Sequence, residues 1–151
     1  MREIRNVISS DLESIKLIYE KAFDRSEGVL KYYQGFPEYV EFCIKQRYAY
    51  VAVDEDIVCG VLLAYVIPDM LAGKVVYIEL LAVMPEYQRK GFGTEFLNKV
   101  KEDAQNNGIV ELSLRTGCYM DSYQIYKNYG FRDTRDDHRY MVMNIKKSAD
   151  K

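Results

Sequence analysis

Val75-Val76-Tyr77-Ile78-Glu79-Leu80-Leu81-Ala82-Val83-Met84-Pro85-Glu86-Tyr87-Gln88-Arg89-Lys90-Gly91-Phe92-Gly93-Thr94 decides the fold of this chain. Its first nine residues are apolar, β-branched or aromatic except Glu79, the pattern of a strand buried on both faces. Pro85 ends the run. After Gly93, Phe96, Leu97, Val100 and Ala104 recur at helical spacing with charges between them, and Asn106-Asn107-Gly108 supplies a stop. A strand therefore enters a helix through a basic turn that contains two glycines.

That turn suits an anion. The first turn of a helix leaves N–H groups unpaired and carries partial positive charge. Gly91 and Gly93 let a ligand approach the main chain and allow positive φ, while Arg89 and Lys90 add full charges. A pyrophosphate cradle is the reading that follows; an ordinary βα turn, with glycines for geometry and basic residues for solubility, is the alternative. Two familiar cradles are excluded by residue identity. No lysine follows Gly93 as a P-loop requires, and Phe96 occupies the third small position of a dinucleotide fingerprint.

Val83 to Gly93 resembles, over eleven consecutive positions, the acyl-CoA motif of the GNAT superfamily of N-acetyltransferases. In that motif a central strand ends in Val-x-Pro-Glu-Tyr and continues through Gln/Arg-x-x-Gly-x-Gly/Ala into a helix. The resemblance implies acetyl-CoA as cofactor, with its pyrophosphate held by Gln88, Arg89, Lys90, Gly91, Phe92, Gly93 and Thr94. It also implies a pantetheine arm along a splayed, bulged strand end at Leu81, Ala82 and Val83, with the Leu81 N–H facing the thioester carbonyl.

The 151 residues are read as one domain, 1–151, long enough to form its own core. Apolar content of 48% and charged content of 29% are ordinary globular usage. A net charge of −2 argues against a general nucleic-acid binder. Cys43, Cys59 and Cys118 are odd in number and unclustered, which points to a reducing compartment, and Cys59 reads as a small buried hydrophobe. With one histidine, His138, in a polar stretch, no metal site is expected. The N-terminus has no signal-peptide core and no run reaches membrane-spanning length, so the expectation is a cytoplasmic protein with no membrane partner.

Outward from the central stretch, Glu3 to Val7 reads as a first strand. Ser10 and Glu13 read as a capping box ahead of an apolar face of Leu12, Ile15, Ile18, Tyr19 and Ala22. Pro37 opens a second helix. Tyr48 to Val53 and Ile57 to Val66 form a hairpin around Asp54-Glu55-Asp56, with Gly60 marking a bulge or close packing. Pro68 to Lys74 is expected as a loop. Val110, Leu112 and Leu114 alternate as a strand parallel to Val75 to Val83, reached by a right-handed crossover. Asp121 to Tyr129 is a helix closed by Gly130, followed by strands at Phe131 to Thr134 and Tyr140 to Ile145.

Ile125-Tyr126-Lys127-Asn128-Tyr129-Gly130-Phe131 is similar to a second GNAT signature, Leu-Tyr-x-Lys-x-Gly-Phe. The order β, α, α, β, β, β, α, β, α, β, β resembles that fold over the whole chain: an α/β (α+β) architecture with a mixed central sheet and helices on both faces. The resemblance makes Tyr126 the general acid for the leaving thiolate; core packing is its alternative role. Tyr119 and Ser122 replace the family's usual asparagine and alanine, so the asparagine contact passes to Asp121 or to Ser122, counted here as cofactor-binding. Resemblance also assigns the acceptor site to the region between the first two helices, with Tyr32, Tyr33, Phe36 and Tyr39 as candidate contacts or a packed aromatic cluster; Tyr77 on the central strand is a further candidate contact.

Glu79 shares a face with Tyr77 by period-two alternation, and a carboxylate inside an apolar strand is costly unless paired or functional. It reads as the base, or as the partner of an arginine such as Arg115. The function implied is transfer of an acetyl group from acetyl-CoA to a primary amine of a small molecule, peptide or protein. A non-catalytic acyl-CoA-binding module and another kind of nucleotide-binding domain are the alternatives. Family members often dimerise, so a homodimer is an expectation.

Overall fold

The computed structural model describes residues 1–23, 34–116, 119–134, 141 and 143–145. Its elements are β1 (Arg2–Asn6), α1 (Leu12–Ala22), α2 (Gly35–Gln46), β2 (Ala49–Asp54), β3 (Ile57–Asp69), β4 (Gly73–Val83), α3 (Phe92–Asn106), β5 (Leu112–Leu114) and α4 (Asp121–Tyr129). Contacts divide them into two compact units, Met1–Arg115 and Thr116–Lys151.

In the first unit the strands lie in the order β1-β2-β3-β4-β5. The first four are antiparallel neighbours, and β5 joins β4 in parallel through the α3 crossover. Strand alternation sorts the core into two layers. Ala49, Val51, Val53, Val61, Leu63 and Ala82 pack with Ile15 and Ile18 of α1 and Val40 and Cys43 of α2. On the opposite face, Phe96 of α3 lies over Gly60, where an added Cβ would come within 3.0 Å of its ring, and the Tyr50 hydroxyl donates to Asp103 at 2.5 Å. Phe92, Leu97, Val100 and Ala104 complete the buried stripe of α3. Each fully buried Phe or Leu contributes about 1.5–3 kcal/mol.

Both readings of Gly60 hold, because a bulge between Ala52 and Val53 leaves Cys59 as the extra residue beside it.

Several expectations are corrected. The capping box at Ser10 and Glu13 is not formed. Ser9–Asp11 is a 3-10 turn in which the Asp11 carboxylate accepts the Ile8 N–H at 2.9 Å and both Arg5 guanidinium nitrogens, at 2.8 and 2.9 Å. Charge-assisted bonds to Asp11 outcompete a serine cap. α2 starts two residues before Pro37, whose missing N–H costs nothing in a first helical turn. The expected loop at Pro68 to Lys74 shrinks to Met70, Leu71 and Ala72, since Pro68 pairs with Lys74 and Asp69 with Gly73. β2 begins opposite Leu63, so Pro68 lies where β3 has β4 on only one side and its absent donor is tolerated.

β5 is shorter than the alternation suggested, and Val110 is exposed. Phe131 to Thr134 and the described part of the last stretch, Met141 and 143–145, form no strand; Tyr140, Val142 and His138 lie outside the described residues. Met141, Met143 and Ile145 are exposed: alternation records an available apolar face, and a strand also needs a partner.

Candidate active site

The site begins at a fault in β4. Leu63 of β3 pairs with Leu80 and Ala64 with Ile78, leaving Glu79 as the extra residue of a β-bulge. The β5 ladder covers only Val76, Tyr77 and Ile78. From the bulge to Val83, the outer edge of β4 therefore has no ladder partner among the described residues, and this is where Leu81, Ala82 and Val83 sit. Glu79 is exposed, which corrects the picture of a carboxylate enclosed in an apolar strand. The bulge carries it outward.

Glu79 faces an aromatic corner. The Tyr77 ring lies 5.7 Å from Tyr65, which in turn contacts Phe42 at 5.5 Å and Tyr39 at 6.1 Å. Burial, the Glu79 charge and a hydrogen bond to Glu79 push the Tyr77 phenol up to about 12, against the opposing pull of Arg115. Burial followed by the same carboxylate raises Tyr65. Burial holds the Cys43 thiol up at about 11, so it is no nucleophile at neutral pH. The Tyr39 hydroxyl is buried with no oxygen or nitrogen hydrogen-bond partner among the described residues. Phe36 is half-buried and packs against the core, whereas Tyr32 and Tyr33 lie outside the described residues.

Beyond Val83, a 3-10 turn at Pro85–Tyr87 leads to the basic turn. Gln88 Nε2 donates to the Val83 carbonyl at 2.9 Å, tying the turn to the end of β4. Arg89 adopts φ 62° and Gly91 φ 88°, so a non-glycine residue shares the left-handed conformation expected of glycine alone. Gly91 caps α3 with no side-chain hydrogen bond to the helix amides. An added Cβ at Gly93 meets nothing within 4 Å, so packing does not demand glycine there, whereas a ligand against the backbone would. The Phe92 side chain is buried, leaving only its main chain to a ligand.

Arg2, Tyr65 and Phe42 belong to this region and were not singled out from sequence. Arg2 sits 88 residues from the turn it touches and nothing local marks it. Tyr65 could have been found by pairing the two predicted strands.

In the second unit, Ser122 Oγ lies 3.1 Å from Thr116 Oγ1 in the first turn of α4. Tyr126 is half-buried, and burial raises its phenol above the usual range. Gly130, at φ 127°, closes the helix with its N–H on the Tyr126 and Lys127 carbonyls. Phe131 then packs edge-on to Tyr126 at 5.7 Å. Tyr119, in place of the family's asparagine, is exposed.

Residues 12–131, which include the whole strand-turn-helix unit and both signatures, match the model of the acetyltransferase (GNAT) family. The chain belongs to the GNAT family of acetyltransferases. It is 30% identical over 94 residues to the mouse thialysine N-epsilon-acetyltransferase, a match covering 62% of this chain and 55% of that protein. The chain thus spans about half the length of the curated relative it matches. Among solved structures, an aminoglycoside N-acetyltransferase in complex with a bisubstrate analogue of CoA and monomethyl-acetylneamine superimposes with a TM-score of 0.78 at 18% identity, over 95% of this chain and 99% of that one. A predicted acetyltransferase from Clostridium acetobutylicum, solved with acetyl-CoA, gives 0.74 at 17% identity, over 95% and 96% of the chains. At such identities these structures establish the GNAT fold, which in the described residues is a five-stranded mixed sheet with four α-helices. No helix among the described residues is long and apolar enough to cross a membrane.

Proposed function

We propose that this GNAT protein is an acetyl-CoA-dependent N-acetyltransferase acting on a primary amine. One observation carries the reading: an edge of β4 with no ladder partner among the described residues leads, through one 3-10 turn, to a turn beside Arg89 and Lys90 whose helix amides no described side chain caps. A long ligand with amides at one end and a pyrophosphate further along fits that sequence of features. Gly93, whose missing Cβ would point into open space, gives the backbone access that a pyrophosphate needs.

Acetyl-CoA supplies an acetyl group activated as a thioester. Gln88 to Thr94 hold its pyrophosphate, and the main chain of Leu81 to Val83 pairs with the pantetheine amides. The Leu81 N–H is the donor assigned to the thioester oxygen, where negative charge develops. Glu79, placed outward by its bulge, takes the proton of the incoming ammonium directly or through water. Tyr126 gives a proton to the departing sulfur. Burial raises the Tyr126 pKa, which favours the protonated phenol that can donate.

Tyr65, Tyr77 and the Glu79 carboxylate form a surface suited to a cationic acceptor, through ring faces and charge together. The mouse relative is named for an ε-amine, and the aminoglycoside enzyme was solved with an aminosugar analogue, so amines of both types head the panel to be tried. The protein is taken to work as one domain in the cytoplasm, with a homodimer as the assembly to be checked by light scattering.

The test is thermal unfolding with acetyl-CoA, ATP and NAD, followed by thiol release with an amine panel. Ligand at ~100 times its Kd adds about 2.7 kcal/mol, a rise of roughly 5–10 °C for a chain of this size. A rise with acetyl-CoA alone and amine-dependent thiol release are expected. Stabilisation by acetyl-CoA without thiol release from any amine would leave a binding module; equal stabilisation by ATP or NAD would overturn the cofactor.

A further inference from the structure

Arg2, at the start of the edge strand β1, reaches the cradle turn. Its Nη2 donates to the Lys90 carbonyl at 2.7 Å and lies 2.9 Å from one oxygen of Glu95, while its Nε donates to the other at 3.3 Å. Its guanidinium carbon lies 3.8 Å over the centre of the buried Phe92 ring. One planar fork thus spans the turn, the first helical turn and a buried aromatic of the helix, which a lysine could not match.

The peptide bond between Lys90 and Gly91 is planar and trans, so its N–H points opposite to its carbonyl. Holding the Lys90 oxygen therefore turns the Gly91 N–H away from Arg2. Gly91 could adopt either hand of φ, and the neighbouring Arg89 is itself in the left-handed region; the turn's own sequence leaves this peptide free to flip. A flipped peptide would present a carbonyl where an anion needs a donor. We infer that Arg2 is a positioning residue for the cofactor cradle, locking the Lys90–Gly91 peptide so that the Gly91 amide stays available to a pyrophosphate.

The inference rests on the cradle reading above, and the test separates the two. Arg2→Met keeps a long apolar side chain but removes every donor and the charge over Phe92; Arg2→Lys keeps the charge without the fork. Binding of CoA and of acetyl-pantetheine, which lacks the pyrophosphate, is measured by calorimetry, and the Gly91 amide resonance is followed in the ligand-free proteins. Arg2→Met is expected to weaken CoA about 10-fold, equivalent to ~1.4 kcal/mol, and to leave acetyl-pantetheine unchanged. The Gly91 amide should shift, kcat at saturating acetyl-CoA should hold, and Arg2→Lys should recover only part of the loss.

If wild type binds CoA and Arg2→Met binds it equally, Arg2 is a surface ion pair and the inference fails while the cradle stands. Full recovery in Arg2→Lys would make the effect one of charge and overturn the lock. Equal losses for CoA and acetyl-pantetheine would mean general loosening and overturn it too. Absence of CoA binding by wild type would remove the cradle, and this role with it.

Discussion

Two turns flank β4, and they solve the same geometric problem in opposite ways. At its start, Asp69 accepts the N–H groups of Leu71 and Ala72 at 2.9 and 2.7 Å, and Gly73 takes up the reversal at φ 82°. That turn satisfies its own donors. At the other end, Arg89 and Gly91 carry positive φ, no side chain among the described residues caps the amides of α3, and the loop is held from outside by Gln88 on Val83 and Arg2 on Lys90. A turn built only to connect closes its hydrogen bonds locally. One that leaves donors open and borrows a clamp from a distant strand is arranged for a ligand.

The comparison breaks or sharpens under substitution. Tyr126→Phe separates holding from chemistry: kcat should fall about 10²-fold or more while the Kd for CoA is unchanged, as read by steady-state rates beside calorimetry. An undiminished kcat, with chemistry limiting, would remove the acid from Tyr126. Gly93→Glu places a carboxylate against the open amides, and CoA affinity should drop about 100-fold, an estimate in line with placing like charges together. Because the added side chain enters open space at a helix N-terminus, the ligand-free melting temperature should stay within about 2 °C.

Gly91→Ala tests the left-handed cap, where a Cβ would also stand 3.4 Å from Arg2 Nη2. A stability loss of about 1–2 kcal/mol is expected, seen as a lower denaturant midpoint, together with weaker CoA binding. Asp69→Ala gives the smallest effect. Removing the acceptor of two exposed amides should cost about 0.5–1 kcal/mol and leave the Kd for CoA untouched. A change in that Kd would erase the distinction between the two turns.

Much of this was legible in the sequence, because periodicity and turn chemistry are local. β4, the helical stripe of Phe96, Leu97, Val100 and Ala104 and the helix closed by Gly130 follow from spacing alone, and spacing with the crossover rule gives a parallel strand after α3, though one that reached back to Val110. What failed depended on partners. The sequence reads Pro68 to Lys74 as a loop, and only the pairing of β2, which begins opposite Leu63, shows that β3 has one neighbour at Pro68 and tolerates it in the strand. Ser10 looked like a cap until Asp11 was seen to hold both Arg5 and the Ile8 amide. Burial pushes the Asp11 carboxyl up, but the hydrogen bonds from Arg5 and the Ile8 amide together with the Arg5 charge outweigh it and its pKa falls, so these contacts stabilise above the usual carboxylate range and weaken as pH drops through the folded value.

By itself the sequence determined the strand-turn-helix unit, its uncapped basic turn, and the family to which these point, since each depends on residues within a few positions of one another. Only the tertiary structure decided that Glu79 is the bulge residue, that Tyr65 and Phe42 join Tyr77 beside it, and that Arg2 grips the Lys90 carbonyl. Those facts depend on the register between strands and on a contact across 88 residues, and a bulge shifts register by one without leaving a mark in the pattern of either strand.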